Sequence, residues 1–89
     1  MSDLYRALRS LYDSLGAVLS RMAADDPNSL WVARVMLRIG ELLPTVGMDD
    51  EPEKAAEAHE LAGRVSVVDP SDVVVEHLLH EIEAFLMAF

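Results

Sequence analysis

With 89 residues, a net charge of −9 and no cysteine, the chain has room for one small domain and cannot form a disulfide framework. The hydrophobic fraction is 52%, and a chain of this length is expected to bury roughly 60–65% of its unfolded surface. Because much apolar surface then stays outside a small core, oligomerisation is one way to cover it. The first residues lack a signal-peptide pattern and no uncharged run could span a membrane, so we expect a cytoplasmic protein.

The negative charge is confined to the second half of the chain. Residues 1–48 hold five basic and five acidic side chains, whereas residues 49–89 hold Lys54 and Arg64 against eleven acids. Direct nucleic-acid binding is disfavoured, because phosphate contacts need clustered lysine and arginine, and an anionic membrane would repel the chain. The acidic half would instead attract a basic protein surface and steer association with it.

The first predicted helix covers about residues 3–24, with Ser2 as its N-cap. Its apolar residues recur at alternating spacings of four and three, which form a heptad seam. They are Leu4, Leu8, Leu11, Leu15, Val18 and Met22. Gly16 lies inside this helix at a cost relative to alanine, and its missing side chain would let a neighbouring helix approach closely.

The second predicted helix covers about residues 28–43, after a break at residues 25–28. Asp26 is a candidate cap with Pro27 in the first turn, and Asn28 or Ser29 are alternatives. The short connection predicts an antiparallel hairpin with the first helix. Residues 30–43 are apolar nearly all round the helix, which is typical of a buried helix.

This central helix has two apolar flanks. The first and fourth helices can cover the flank that contains Val35, Ile39 and Leu42. The other flank needs either the third helix or another molecule, and the sequence leaves both open; it consists of Leu30, Ala33, Leu37 and Gly40. Trp31, beside the first loop, fits either a core anchor or an interface hot spot.

A charged ridge separates the two flanks. Arg34, Arg38 and Glu41 can form a solvated ridge with an Arg38–Glu41 contact, or the arginines can dock against the acidic half within the chain or across a dimer. Pro44 ends the helix, and residues 44–51 are predicted to be a loop with Val46 and Met48 turned inward.

Two further helices are predicted, at about residues 52–64 and 71–88. The third is short, has a stripe of small residues that should pack closely, and ends near Gly63, followed by an extended connector at 65–68. The fourth starts after Asp69 or Ser71 as cap and carries a wide core-facing stripe. The sequence therefore predicts an all-α fold, a compact bundle of four helices in a single domain over residues 1–89.

The fourth helix carries the residues that are best suited to metal binding or catalysis. His77 and His80, three apart, could face one metal ion, but neither the HEXXH pattern nor a Glu-x-x-His spacing is present. Ion pairs of Glu76 with His80 and of His77 with Glu81 explain them as surface histidines. We therefore expect no metal, cofactor or catalytic residues, and a small metal-binding or enzymatic protein centred on His77 and His80 is the least favoured reading.

Two kinds of surface remain as candidates for partner binding. A weakly apolar strip on the fourth helix would suit a partner or a second copy: Val73, His77, His80, Ala84 and Met87. Two acidic rows would suit a basic partner: Glu53, Glu57 and Glu60 on the third helix, and Asp72, Glu76 and Glu83 on the fourth. An ordinary solvated face is the favoured explanation of both rows.

These patterns favour a non-enzymatic protein–protein interaction module that forms a homodimer. The alternative is an inhibitor from a phage or mobile element that binds a basic nucleic-acid-binding protein. Small size and acidity are common among such inhibitors, including anti-CRISPR proteins, but no motif supports a particular family.

Overall fold

In a computed structural model, which describes residues 2–47 and 51–89, the chain folds into four α-helices and the described residues include no strand. The helices are Asp3–Arg21 (α1), Asn28–Leu42 (α2), Pro52–Ser66 (α3) and Val74–Leu86 (α4), and a 3-10 turn at Leu43–Thr45 continues α2. The predicted all-α bundle of four helices is thus confirmed. Within the described ranges, no helix has both the length and the apolar character needed to cross a membrane.

The four helices occupy the corners of a bundle of 38 × 20 × 19 Å. Helix α1 packs against α2 and α3, and α4 packs against the same two helices. Helix α1 therefore lies diagonally opposite α4, and α2 lies diagonally opposite α3. Because α3 meets α1 and α4 only, it does not reach α2 within the described chain.

The predicted heptad seam of α1 supplies the centre of the core. Five of its six residues are buried, namely Leu4, Leu8, Leu11, Leu15 and Val18, and Met22 is partly buried at the end of the helix. Apolar side chains of α2 and α4 complete the core from the other corners. The burial of this seam explains why α1 forms a stable helix, since most helical stability in proteins comes from packing of the apolar face.

Alanines line the contact between α1 and α3. Ala7 of α1 and Ala55, Ala58 and Ala62 of α3 are all buried. Their short side chains let the two backbones come close, and this is the most extensive helix–helix contact in the bundle. The close packing predicted for the third helix is confirmed.

The start of α1 is capped as predicted. The Ser2 hydroxyl accepts a hydrogen bond from the Tyr5 N–H at 3.1 Å and donates one to the Val46 carbonyl at 3.3 Å. Val46 is buried as predicted, whereas Met48 lies outside the described residues. These bonds tie the beginning of α1 to the segment that follows α2.

The predicted end of the third helix at Gly63 is wrong. Helix α3 continues to Ser66, so that Val65 is a buried helical residue and not part of an extended connector. Gly63 has no positive φ, and its carbonyl accepts a hydrogen bond from the Ser66 hydroxyl at 2.7 Å. With 15 residues α3 is as long as α2, and α4 with 13 residues is the shortest helix.

The other helix ends differ from the predictions by a few residues. Helix α1 ends at Arg21, and the segment before α4 forms turns, so that α4 begins at Val74 and not at residue 71. The Asp69 carboxylate accepts hydrogen bonds from the Ser71 N–H and hydroxyl at 2.9 and 2.8 Å. The Asp72 carboxylate accepts one from the Val74 N–H at 3.1 Å, so Asp72 satisfies a free donor of the first turn.

Candidate interaction surface

One face of α2 is apolar and uncovered. It is called here the α2 strip, and it consists of Leu30, Ala33, Leu37 and Gly40, which share one side of the helix because they are three or four residues apart. Leu30 is 60% exposed and Leu37 is 66% exposed, and Ala33 is exposed as well. Since α3 packs at the opposite corner, no other helix of the described chain covers the strip.

Gly40 leaves an open place within the α2 strip. A Cβ atom built on Gly40 has no neighbouring atom within 4 Å. Gly16 of α1 differs, because its Cβ would lie 3.3 Å from the Met36 Cε atom of α2. At Gly16 the tip of a flexible side chain of α2 comes close, whereas at position 40 the packing of the described chain does not require a glycine.

The charged ridge borders the α2 strip on the side of α4. Arg38 contacts Glu41 at 4.0 Å, at the limit of an ion pair, and both side chains are about half exposed. Arg34 is exposed and makes no ion pair with the described residues. Both arginines line a shallow groove of about 320 Å³ that also contains Glu83 and Met87 of α4. Neither arginine comes within ion-pair distance of Glu83 in that groove.

Trp31 lies between α2 and α4 and is partly buried against the core. Its ring meets the His80 ring edge to face, with the ring centroids 4.7 Å apart and the planes at 72°. Aromatic pairs favour this geometry because a ring edge is positive and a ring face is negative. Trp31 therefore joins two helices of the bundle and stands apart from the exposed α2 strip.

The strip predicted on α4 is also exposed. Val73 is 64% exposed and Met87 is 85% exposed, and His77, His80 and Ala84 between them are exposed too. Because Val73 and Met87 lie at its two ends with the histidines and Ala84 between them, its large apolar side chains do not form a continuous patch.

The ion pairs predicted for the two histidines do not form. Glu81 bonds to Arg64 of α3 instead of His77, and His80 lies 3.9 Å from Glu83 instead of pairing with Glu76. Among residues 2–47 and 51–89, no three histidine, aspartate or glutamate side chains come close enough together to hold a metal ion.

The two acidic rows are exposed but lie in different places. Glu57 and Glu60 of α3 line a groove between α3 and α4, together with Arg64 and Glu81. Glu83 of α4 lines the groove between α2 and α4. Glu53, Asp72 and Glu76 are exposed as well. The rows therefore do not merge into one acidic surface.

Both basic residues of the acidic half are already engaged. Lys54 Nζ lies 3.2 Å from a Glu51 carboxylate oxygen and donates to the Ala88 carbonyl at 3.2 Å. Arg64 binds Glu81, and this hydrogen bond, supported by the charge of Glu60, raises the pKa of Arg64 above its ordinary value. Arg64 therefore forms its ion pair between α3 and α4 and not with Glu60, which lies four residues before it on α3.

The sequence gives no sign of a shallow channel on the outer face of α1. It is lined by Arg6, Ser10 and Ser14 among others, and Arg9 in its wall pairs with Asp13 at 3.4 Å. The cavity among Leu15 and its core neighbours measures about 10 Å³, which is too small for a small molecule.

Comparisons with protein families, with curated proteins and with solved structures find no match to this chain.

Proposed function

We propose that the protein is a non-enzymatic protein–protein interaction module that forms a homodimer through the α2 strip. The observation that supports this most directly is the exposure of Leu30 and Leu37, at 60% and 66%, on one face of a helix whose other apolar face is buried. A contiguous exposed apolar face on a small protein marks an interaction site, because burying it in a partner removes the apolar surface from water.

The distribution of charge makes a second copy a suitable partner for this face. Residues 1–48 carry no net charge, so two α2 surfaces can meet although each chain has a charge of −9. Helix α3, with the acidic row Glu53, Glu57 and Glu60, lies at the corner diagonally opposite α2. Two copies joined through α2 would therefore keep this row on the outside, where solvent and salt screen the repulsion between its carboxylates and those of the other copy.

The size of the face predicts modest affinity. A helix of 15 residues is about 22 Å long, so the contact is smaller than the roughly 800 Å² per partner of a standard interface. We expect a dissociation constant in the micromolar range, which corresponds to a binding free energy of about −8 kcal/mol.

Sedimentation velocity over about 1 to 500 µM tests the proposal, since this range brackets the expected dissociation constant. The wild-type chain should change from monomer to dimer, and Leu37→Glu should remain monomeric because it places a charge in the contact. Val67→Glu is the matched control, since Val67 is 83% exposed but lies at the end of α3. A wild-type chain that stays monomeric at the highest concentration contradicts the proposal.

A second candidate function is that of an inhibitor that presents its carboxylates to a basic nucleic-acid-binding protein. The engagement of Lys54 and Arg64 favours it, because residues 49–89 contain no further lysine or arginine to neutralise the remaining acids. In competition assays with a panel of basic DNA-binding proteins and their DNA, the chain should displace DNA, and added salt should weaken this effect. Replacing Glu53, Glu57 and Glu60 by glutamine should abolish displacement; unchanged displacement would argue against this function.

A further inference from the structure

Within residues 2–47 and 51–89, no atom packs where a side chain of residue 40 would begin. Gly40 is in a helix, where glycine is less stable than alanine, yet its φ is not positive and no atom lies near the place of its missing Cβ. Glycine is useful in a helix where another backbone or side chain approaches closely. Gly40 lies on the α2 strip, so a group that approaches it would come from outside the chain.

We infer that two α2 helices pack antiparallel, with Leu37 of each copy lying over Gly40 of the other. This inference rests on the proposed homodimer and adds its orientation and register. The two-fold axis then passes between residues 38 and 39. Large side chains of one copy meet small residues of the other, and Ala33 of each copy faces the exposed Pro44 of its partner.

The spacing of the α2 strip supports this register. Leu30, Ala33, Leu37 and Gly40 follow the alternating steps of three and four that form a coiled-coil seam. In an antiparallel pair, a residue from the first position of each heptad meets one from the fourth position of the partner. Leu37 and Gly40 occupy these two positions, so the pairing places the bulky leucine at the open glycine.

The order of charges beside the strip favours the antiparallel orientation. Arg34 and Glu41 lie on the same side of α2, seven residues apart, and both are exposed. In the antiparallel register, Arg34 of one copy lies within about 3 Å, measured along the helix axis, of Glu41 of the other, and the symmetry repeats the pair. In a parallel pair the two-fold axis would run along the helices and place the Arg34 side chains of the two copies on opposite sides of the contact, so Arg34 would not meet Glu41 of the partner.

Charge reversal tests the orientation, with dimer dissociation constants measured by sedimentation at low salt. Arg34→Glu and Glu41→Arg should each weaken the dimer by about threefold to tenfold, and the double variant should return to within about twofold of wild type. Glu41→Arg reduces the net negative charge, so its weaker dimer cannot result from overall repulsion. A double variant as weak as either single variant overturns the antiparallel register.

Gly40→Ala tests the role of the glycine, with Gly63→Ala as the control. A Cβ at either position meets no atom of its own chain, so both variants should fold at least as well as wild type. Gly40→Ala should weaken the dimer by about tenfold, because the methyl group displaces Leu37 of the partner, and Gly63→Ala should leave the dissociation constant unchanged. Equal dissociation constants for the two variants overturn the assignment of Gly40. If the wild-type chain dimerises and Leu37→Glu abolishes dimerisation, a failure of the charge-reversal test or of the glycine test refutes the register alone. A monomeric wild type refutes the proposed function.

Discussion

Replacing Ala58 by leucine should destabilise the protein at the α1–α3 contact. Ala58 and Ala7 are each 0% exposed, and both lie where the two helices pack most extensively. Leucine adds three carbon atoms where the backbones are already close, so α1 and α3 must separate or the new side chain must take a strained rotamer. Overpacking of this kind costs about 1–3 kcal/mol, whereas the helix propensities of alanine and leucine are nearly equal.

Thermal and urea unfolding followed by circular dichroism would measure this cost. A loss of 1 kcal/mol lowers the melting temperature of a domain of this size by about 4–8 °C, so Ala58→Leu should melt about 4 to 24 °C below wild type. Ala56→Leu is the matched control, because Ala56 is exposed on the same helix and its free energy of unfolding should change by less than about 0.5 kcal/mol. Equal stability of the two variants would refute the close approach of α1 and α3.

Three other substitutions test separate contacts. Ser2→Ala should lower the free energy of unfolding by about 1 kcal/mol in urea titrations, because the Tyr5 N–H loses its acceptor; an unchanged value would mean that water replaces the cap. Leu8→Ala should cost about 2.7–5 kcal/mol, since the side chain is fully buried, and a loss below about 1 kcal/mol would show that the core collapses around the site. Asp69→Ala tests pH dependence: hydrogen bonds from Ser71 lower the pKa of Asp69, so its stabilising effect is present above its unfolded pKa and is lost as pH falls through the lower folded value. The gap in melting temperature between wild type and Asp69→Ala should therefore be constant near neutral pH and narrow as the pH falls below the unfolded pKa of aspartate, and a gap that does not change on acidification would contradict the assignment.

The features that depend on neighbours along the chain could be predicted from the sequence. The heptad seam of α1 is visible as a repeat of leucines, and Ser2 is a cap because its hydroxyl reaches the Tyr5 N–H three residues later. The alanines of α3 indicate close packing for the same local reason, since they share one face of a helix. Periodicity and capping act within one or two helical turns, so they can be recognised without the fold.

Features that depend on contacts between helices could not be predicted in this way. Gly63 suggests a helix end, but the burial of Val65 against the core extends α3 beyond it. Glu60 lies four residues before Arg64 on the same helix, which is the spacing of a local ion pair. Arg64 nevertheless bonds to Glu81, because α4 packs beside α3. In both cases a contact with residues distant in sequence is more stabilising than the local alternative. Only the packing of the helices brings those residues close.

The second flank of α2 illustrates the same division. The amino-acid sequence determined that Leu30, Ala33, Leu37 and Gly40 share one face, since that follows from 3.6 residues per turn. Periodicity assigns residues to a face but does not say which helix covers it, so the third helix and another molecule were equally compatible. The tertiary structure decided the matter by placing α3 against α1 and α4, which leaves this face of α2 exposed to solvent.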